Sequence, residues 1–280
     1  AGLAAPIIMP NDPLVTNLDH RLHPPSPDFI LGTDQLGRCI FSRVVYGARI
    51  SLSGAGAASL IAMATGTAVG IGAALLRGQA GFLLIAAVDM GLALPGLVLT
   101  LVIAGILGGN MQGLVLGLAL ANWPWWARLV RGLTLTAREK EYVLAGRAAG
   151  LSPFRLVSAY IIPQIRGPVL AAGAMKTGRM ILAFSGLCYL GLGPAPPAPE
   201  WGRMIQESSL YMIQAPWLML APGIAVTLTV MALNLIAREG EEALRKLVDE
   251  APPALDVALR RAVANGCDTP WEKADAVAAM

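Results

Sequence analysis

The chain is short of charge, histidine and cysteine, and each shortage removes a class of function. Asp, Glu, Lys and Arg make up 14% of its 280 residues. Ordinary soluble chains carry about 25%, so long stretches here never meet water and a soluble enzyme is not expected. The three Cys (Cys39, Cys188, Cys267) give no CxxC pair, no even disulfide set and no tetrahedral zinc site. The two His, with Asp19, form only a loose DHxxH at Asp19, His20 and His23, read as part of a surface loop, so no metal site is expected. No GxxxxGK[ST] pattern occurs, so the chain does not cradle ATP phosphates and carries no cofactor of its own. Net charge is +3 without a dense Lys/Arg run, which argues against nucleic acid as a partner. Lys176, Thr177 and Gly178 spell KTG, but they lie in an apolar run without the SxxK and SDN companions of penicillin-binding enzymes. No nucleophile and base are spaced for catalysis, so the chain is not read as an enzyme.

What is present is apolar length. A membrane helix needs about 20 mostly apolar residues. Residues 50–76, 90–127 and 208–237 are uncharged, and 165–192 is apolar except for Arg166 at its edge and Lys176 and Arg179 inside. Gly108, Gly109 and Asn110 divide the second run into two spans. The sequence therefore predicts an all-α polytopic membrane helical bundle of five full spans. Residues 1–10, apolar but too short to cross, are read as the remnant of a sixth. Residues 1–49 then form the end of the first span and an extracytoplasmic segment, 50–237 the transmembrane domain, and 238–280 a cytoplasmic tail of two short amphipathic helices joined at Pro252 and Pro253. Glycine pairs four apart at Gly66/Gly70, Gly105/Gly109 and Gly113/Gly117 allow close helix approach.

Orientation follows from the basic residues, which are enriched in cytoplasmic connections. Of 21 Lys and Arg, 14 lie at Arg77, between Arg128 and Arg166, or from Arg238 onward, and five lie at Arg21, Arg38, Arg43, Arg49 and Arg203. The loop before the 165–192 span and the C-terminal tail are thus cytoplasmic, and the Pro-rich segments 11–49 and 193–215 face outward. Trp123, Trp125 and Trp126 beside Arg128 and Arg131 read as an aromatic belt with basic anchors. Asp89, near the start of the third helical span, is placed at the interface or beside a cation.

The cytoplasmic stretch REKEYVLAGRAAGLSPFRLVSAYIIPQ is too charged to insert and too apolar for a linker. Its punctuation is that of a helix pair within loop 137–163: Gly150 suits a left-handed C′ position, Ser152 an N-cap and Pro153 the first turn of a second helix ending near Ile162. Tyr142, Val143, Ala145 and Ala149 give the first helix an apolar side, suited to a groove on another protein.

This stretch resembles the cytoplasmic loop of ABC importer permeases, EAAxxxG followed by IxLP. Its counterpart here is LAGRAAG, from Leu144 to Gly150, then Tyr160, Ile161, Ile162 and Pro163. LGTDQLGRCIFSRVVYGARISL, LGLGPAPPAPEWGRMI and APWLMLAPG are similar to the second permease subunit of the dipeptide, oligopeptide and nickel family. Departures are Leu144 for the motif's Glu, Cys39 for the Asp after GR, and EGEEALRKLVDE in place of GDxLRDxLDP. The resemblance implies a multi-pass subunit of the bacterial inner membrane that forms half of a translocation path. Its implied partners are a second homologous permease, two ATPase subunits that bind ATP and Mg, an extracytoplasmic substrate-binding protein, and lipid. It implies ATPase coupling through Glu141, Ala145, Gly150, Leu151, Arg155 and Pro163. Peptide import is the leading expectation, with Lys176, Arg179 and Asp89 on the path. The alternative is a nickel or metal-chelate permease of the same family, which WPWWARLVRG and VLAGRAAG favour. The cations at Lys176 and Arg179 oppose bare Ni²⁺. A secondary carrier is the remoter alternative, and the inverted repeats it would need are not found.

Overall fold

The computed structural model describes residues 9–76 and 78–249, with side chains as far as Arg238. Residues 1–8, most of the expected sixth-span remnant, lie outside these, as do Cys267 and the second tail helix. Among the described residues the chain is helical, with no strand beyond an isolated bridge between Thr33 and Cys39. The helices are α1 (Ile40–Leu75), α2 (Gln79–Ala93), α3 (Gly96–Ile106), α4 (Met111–Arg138), α5 (Glu141–Ala148), α6 (Pro153–Leu156), α7 (Ile162–Tyr189), α8 (Trp201–Ser208) and α9 (Trp217–Asp249).

Two of these, α1 and the Trp217–Arg238 part of α9, are long and apolar enough to cross a bilayer; α2 and α3 make a third if their 93° bend lies within one span. The α4 and α7 helices have 28 residues each, about 42 Å at 1.5 Å per residue. Their hydropathy is diluted by Asn122, Pro124 and the tryptophans in α4 and by Arg166, Lys176 and Arg179 in α7. The uncharged run starting at Ile50 begins inside α1, because Arg43 and Arg49 are helical residues and Arg43 is buried in ion pairs. The run starting at Ser208 divides: Ser208 closes α8, a 3-10 turn spans Ser209–Tyr211, and α9 starts after Pro216. The α9 helix then passes Arg238 without a break, so the first tail helix is an extension of the last apolar one.

One break in the apolar region was not expected. It falls at Leu94 and Pro95, where the residue before proline is held extended, at ψ 139. The expected break at Gly108 and Gly109 is also present, with both residues at positive φ and the Asn110 side chain capping α4 by accepting from Gly113 N at 2.8 Å.

The largest helix interface joins α1 to α4. A Cβ on Gly66 would lie 2.3 Å from Trp126 Cβ and 2.6 Å from the Trp123 carbonyl, and one on Gly70 would lie 2.6 Å from the Ala127 carbonyl. Gly113 and Gly117 admit α3 in the same way through Ala104 and Thr100, whereas Gly105 faces open space and brings no helix close. This packing corrects the aromatic belt. Adjacent helical residues point about 100° apart, so three tryptophans in four positions cannot share one face. Trp126 is fully buried under α1, with Trp125 edge-on to it at 5.1 Å. One core cluster joins α1, α4, α7, α8 and α9 around Ile40, Leu114, Phe184, Trp201 and Leu218. A second joins α1 and α4 to the start of α7 through Ala62, Trp126, Val130, Ile161 and Ile165.

Candidate functional site

Two regions carry the residues singled out in the sequence. The first is the helix–turn–helix between α4 and α7. Glu139 follows the end of α4 and Lys140 precedes α5, and Arg138 donates to the Ala74 carbonyl at the C-terminus of α1, anchoring the loop where a cation meets orphan carbonyls. Gly150 has φ +77, and two bonds close the turn: Gly150 N to Arg147 O and Leu151 N to Gly146 O, each 3.1 Å. That is the Schellman pairing a C′ glycine permits. The Ser152 hydroxyl accepts from Arg155 N, and Pro153 opens α6. Leu151 and Leu156 both pack toward Gly146, where a Cβ would stand 3.2 and 3.0 Å from them. Tyr142 stacks on Tyr160 at 6.4 Å, and burial pushes its phenol above the ordinary range.

The outer surface of this unit presents Glu141, Gly150, Arg155 and Pro163 to solvent, with Ala145 and Leu151 half-buried. Phe154, which the sequence reading passed over, is 83% exposed. The second helix does not stop near Ile162. A π-helical turn, Val157–Ile161, carries it straight into α7, with Ile162 N bonded to Val157 O. Pro163, the second residue of α7, has no N–H to donate, so the backbone ladder lacks one bond just after the π turn. Ile161 and Ile165 pack with Trp126 and Val130 of α4. The loop's outgoing helix and the core of α1 and α4 are therefore one packed body.

The second region lies halfway along α7. Lys176 and Arg179, with Asn122 and Leu118 of α4 and Thr100 of α3, line a cavity of about 440 Å³. Lys176 Nζ lies 4.7 Å from the Trp125 ring centroid. Asp89 is not among the cavity's lining residues; it pairs with Arg128 of α4 at 2.5 Å, on a surface where both are more than half exposed.

The sequence reading missed a buried polar cluster on the Pro-rich side. Asp34 holds Arg38 Nε at 2.7 Å and Arg43 Nε at 3.4 Å, and Glu207 lies 3.4 Å from Arg43 Nη2 and 3.6 Å from Arg203 Nε. Nearby, fully buried Glu200 caps α8 by accepting from Arg203 N and also accepts from Ser51 and Ser185 hydroxyls. These bonds tie the 9–39 segment, the start of α1 and α8 into one unit. Its members fall in two short stretches, Asp34–Arg43 and Glu200–Glu207, and nothing in either stretch shows that the two meet. Cys39 lies within this unit and is buried.

Residues 44–245 match the family described as Binding-protein-dependent transport system inner membrane component. The dipeptide transport system permease protein DppC of Alkalihalophilus pseudofirmus is 35% identical over 87% of this chain and 80% of its own length. The nickel transport system permease protein NikC of Escherichia coli is 34% identical over 86% of each chain. The di/tripeptide transport system permease protein DppC of Pseudomonas aeruginosa is 35% identical over 87% of this chain and 82% of its own. Among solved structures, the inward-facing MetNI methionine ABC transporter matches with a TM-score of 0.60 at 18% identity, covering 74% of this chain and 97% of that one. An amino acid ABC transporter crystallised with histidines matches with a TM-score of 0.55 at 17% identity, covering 71% of this chain and 94% of that one. At those identities the structures speak for the fold, while the family match over most of the chain and relatives above 30% identity speak for descent. The chain belongs to the family of inner-membrane components of binding-protein-dependent transport systems.

Proposed function

We propose that this chain is one of two permease halves of an ATP-driven importer of peptides, working in the bacterial inner membrane. Its five spans are α1, the bent α2–α3 pair, α4, α7 and the Trp217–Arg238 part of α9. Leu220, Ile224, Leu228, Met231 and Leu235 are exposed at three- and four-residue spacing on α9 and face lipid or the second permease. ATP and Mg are bound by two ATPase subunits, and a substrate-binding protein delivers cargo to the Pro-rich outer side, with no nucleic acid involved.

The observation that carries this reading is the continuity of the loop with the spans. The surface around Glu141, Ala145, Gly150, Leu151, Phe154 and Arg155 is the docking face for an ATPase cleft. Closure of the ATPases pushes on α5 and α6, and the unbroken path through the π turn carries that motion into α7 and, through its packing on α4, into the spans as one body. The path runs beside Lys176 and Arg179. Nickel or a metal chelate is the second cargo reading, favoured by a nickel permease relative as similar as the dipeptide ones.

The test is uptake into proteoliposomes holding the assembled complex, with binding protein outside and ATP inside, using labelled dipeptides and ⁶³Ni²⁺ with and without histidine. Peptide uptake that needs ATP is the expected result. ATP-dependent uptake of nickel alone would replace the cargo, and solute movement without ATP would replace the mechanism with a secondary carrier.

A further inference from the structure

Lys176 and Arg179 stand near the middle of the 28-residue α7, Lys176 about 20 Å from either end and Arg179 about 15 Å from Tyr189, each farther from the helix ends than a lysine or arginine stem reaches. The helix also fixes which way they turn. The Thr177 hydroxyl lies 2.7 Å from that of Ser59 on α1, and Gly178 lies against Val230 and Asn234 of α9. The two cations instead line the cavity toward α3 and α4, beside Thr100, Leu118 and Asn122.

These charges have no anion of their own. Among the described residues neither makes a salt bridge. Asp89 is the only acidic residue between Ile40 and Arg138, none occurs between Tyr142 and Pro199, and none between Ser208 and Arg238. Asp89 is already paired with Arg128. Two cations and one amide line the cavity, with Trp125 against Lys176 and Arg179 exposed, and none of α1, α3, α4, α7 or the Trp217–Arg238 part of α9 carries an acidic residue to offset them, which makes the two charges costly within a membrane. The missing partner is an anion that arrives from outside this chain, and a spacing of three residues places both donors on one helix face to grip it.

Resting on the importer reading above, we propose that this cavity binds the free carboxylate of the transported solute, with Lys176 and Arg179 as its ligands and Trp125 steadying Lys176. A peptide C-terminus and a carboxylate-rich metal chelate both present that group. The amidated peptide, which keeps every other atom of the cargo, does not.

The experiment uses the assembled complex carrying a reporter thiol, Leu97→Cys, in the cavity wall. Three probes are compared: a neutral dipeptide with a free C-terminus, its C-terminal amide, and nickel citrate. The free-acid dipeptide is expected to protect the thiol from alkylation and to be taken up about tenfold faster than its amide, the size of effect a charge-assisted hydrogen bond gives. Both differences collapse toward one in K176M/R179M and persist in K176R/R179K. Protection by nickel citrate but not by the dipeptide assigns the carboxylate to a chelate. Equal protection by acid and amide, or an acid preference that survives K176M/R179M, overturns the proposal. Failure of the K176M/R179M complex to assemble also overturns it, by assigning the two cations to a carboxylate on the second permease. Thiol protection without any ATP-driven uptake leaves the site standing and sinks the importer reading instead.

Discussion

Replacing Gly150 with valine should separate ATP hydrolysis from cargo delivery. Gly150 sits at φ +77, and a Cβ there would meet nothing within 4 Å, so the cost of a side chain is the backbone term alone. For a β-branched residue in the left-handed region that term is about 1–2 kcal/mol, or a factor of about 5–30 in the ratio of native to non-native turn. The least costly escape is for α5 to run on past Ala149. That breaks the bonds from Gly150 N to Arg147 O and from Leu151 N to Gly146 O, and draws Leu151 off Gly146. The face built from Glu141, Leu151 and Arg155 then loses its shape, while the buried anchors Val143 and Ile161 stay in place. The assay is ATP hydrolysis by the complex in nanodiscs, with and without cargo-loaded binding protein. Stimulation should fall about fivefold or more in Gly150→Val and stay within about twofold of wild type in Gly150→Asn, because asparagine tolerates the left-handed conformation. Full stimulation in the valine variant would refute the role of the turn. Equal impairment in both variants would show that loss of the glycine surface, and not φ, is responsible.

The outward placement of the Pro-rich segment is checked with thiols. Cys39 is too buried to report, so in a Cys267→Ser background an impermeant maleimide on intact cells should label Asp28→Cys and spare Phe154→Cys; labelling of Phe154→Cys alone reverses the orientation. Asp34→Ala leaves Arg38 and Arg43, both nearly fully buried, with only their contacts to Glu207, at 3.6 and 3.4 Å. It should cost about 3–5 kcal/mol of stability, seen as a lowered Tm of the detergent-solubilised complex. An unchanged Tm would show that the cluster is solvated and contributes little.

What could be read from the sequence was local. Gly150, Ser152 and Pro153 each have one strong conformational preference, and in a row they specify a C′ turn and an N-cap, which is what forms. Gly66 and Gly70 likewise do their work by lacking a side chain. Pro95 was legible too, but hydropathy averaged over an uncharged run hides a single break, and the 93° bend went unread. The junction into α7 was misread because Pro163 looks like a boundary, whereas the π turn before it lets the helix continue. The Asp34–Arg38–Arg43–Glu207 cluster and the cavity were out of reach, because each is made by elements that only packing brings together. Charge spacing placed Lys176 and Arg179 on one face; only the contacts of Thr177 and Gly178 decide where that face points.

Affinity purification of the tagged chain from gently solubilised membranes tests the importer reading most directly. The chain should be recovered with one second permease and two ATPase subunits, in a complex whose ATP hydrolysis rises when cargo-loaded binding protein is added. Recovery alone, or as a homodimer that moves solute into vesicles without ATP, would contradict it.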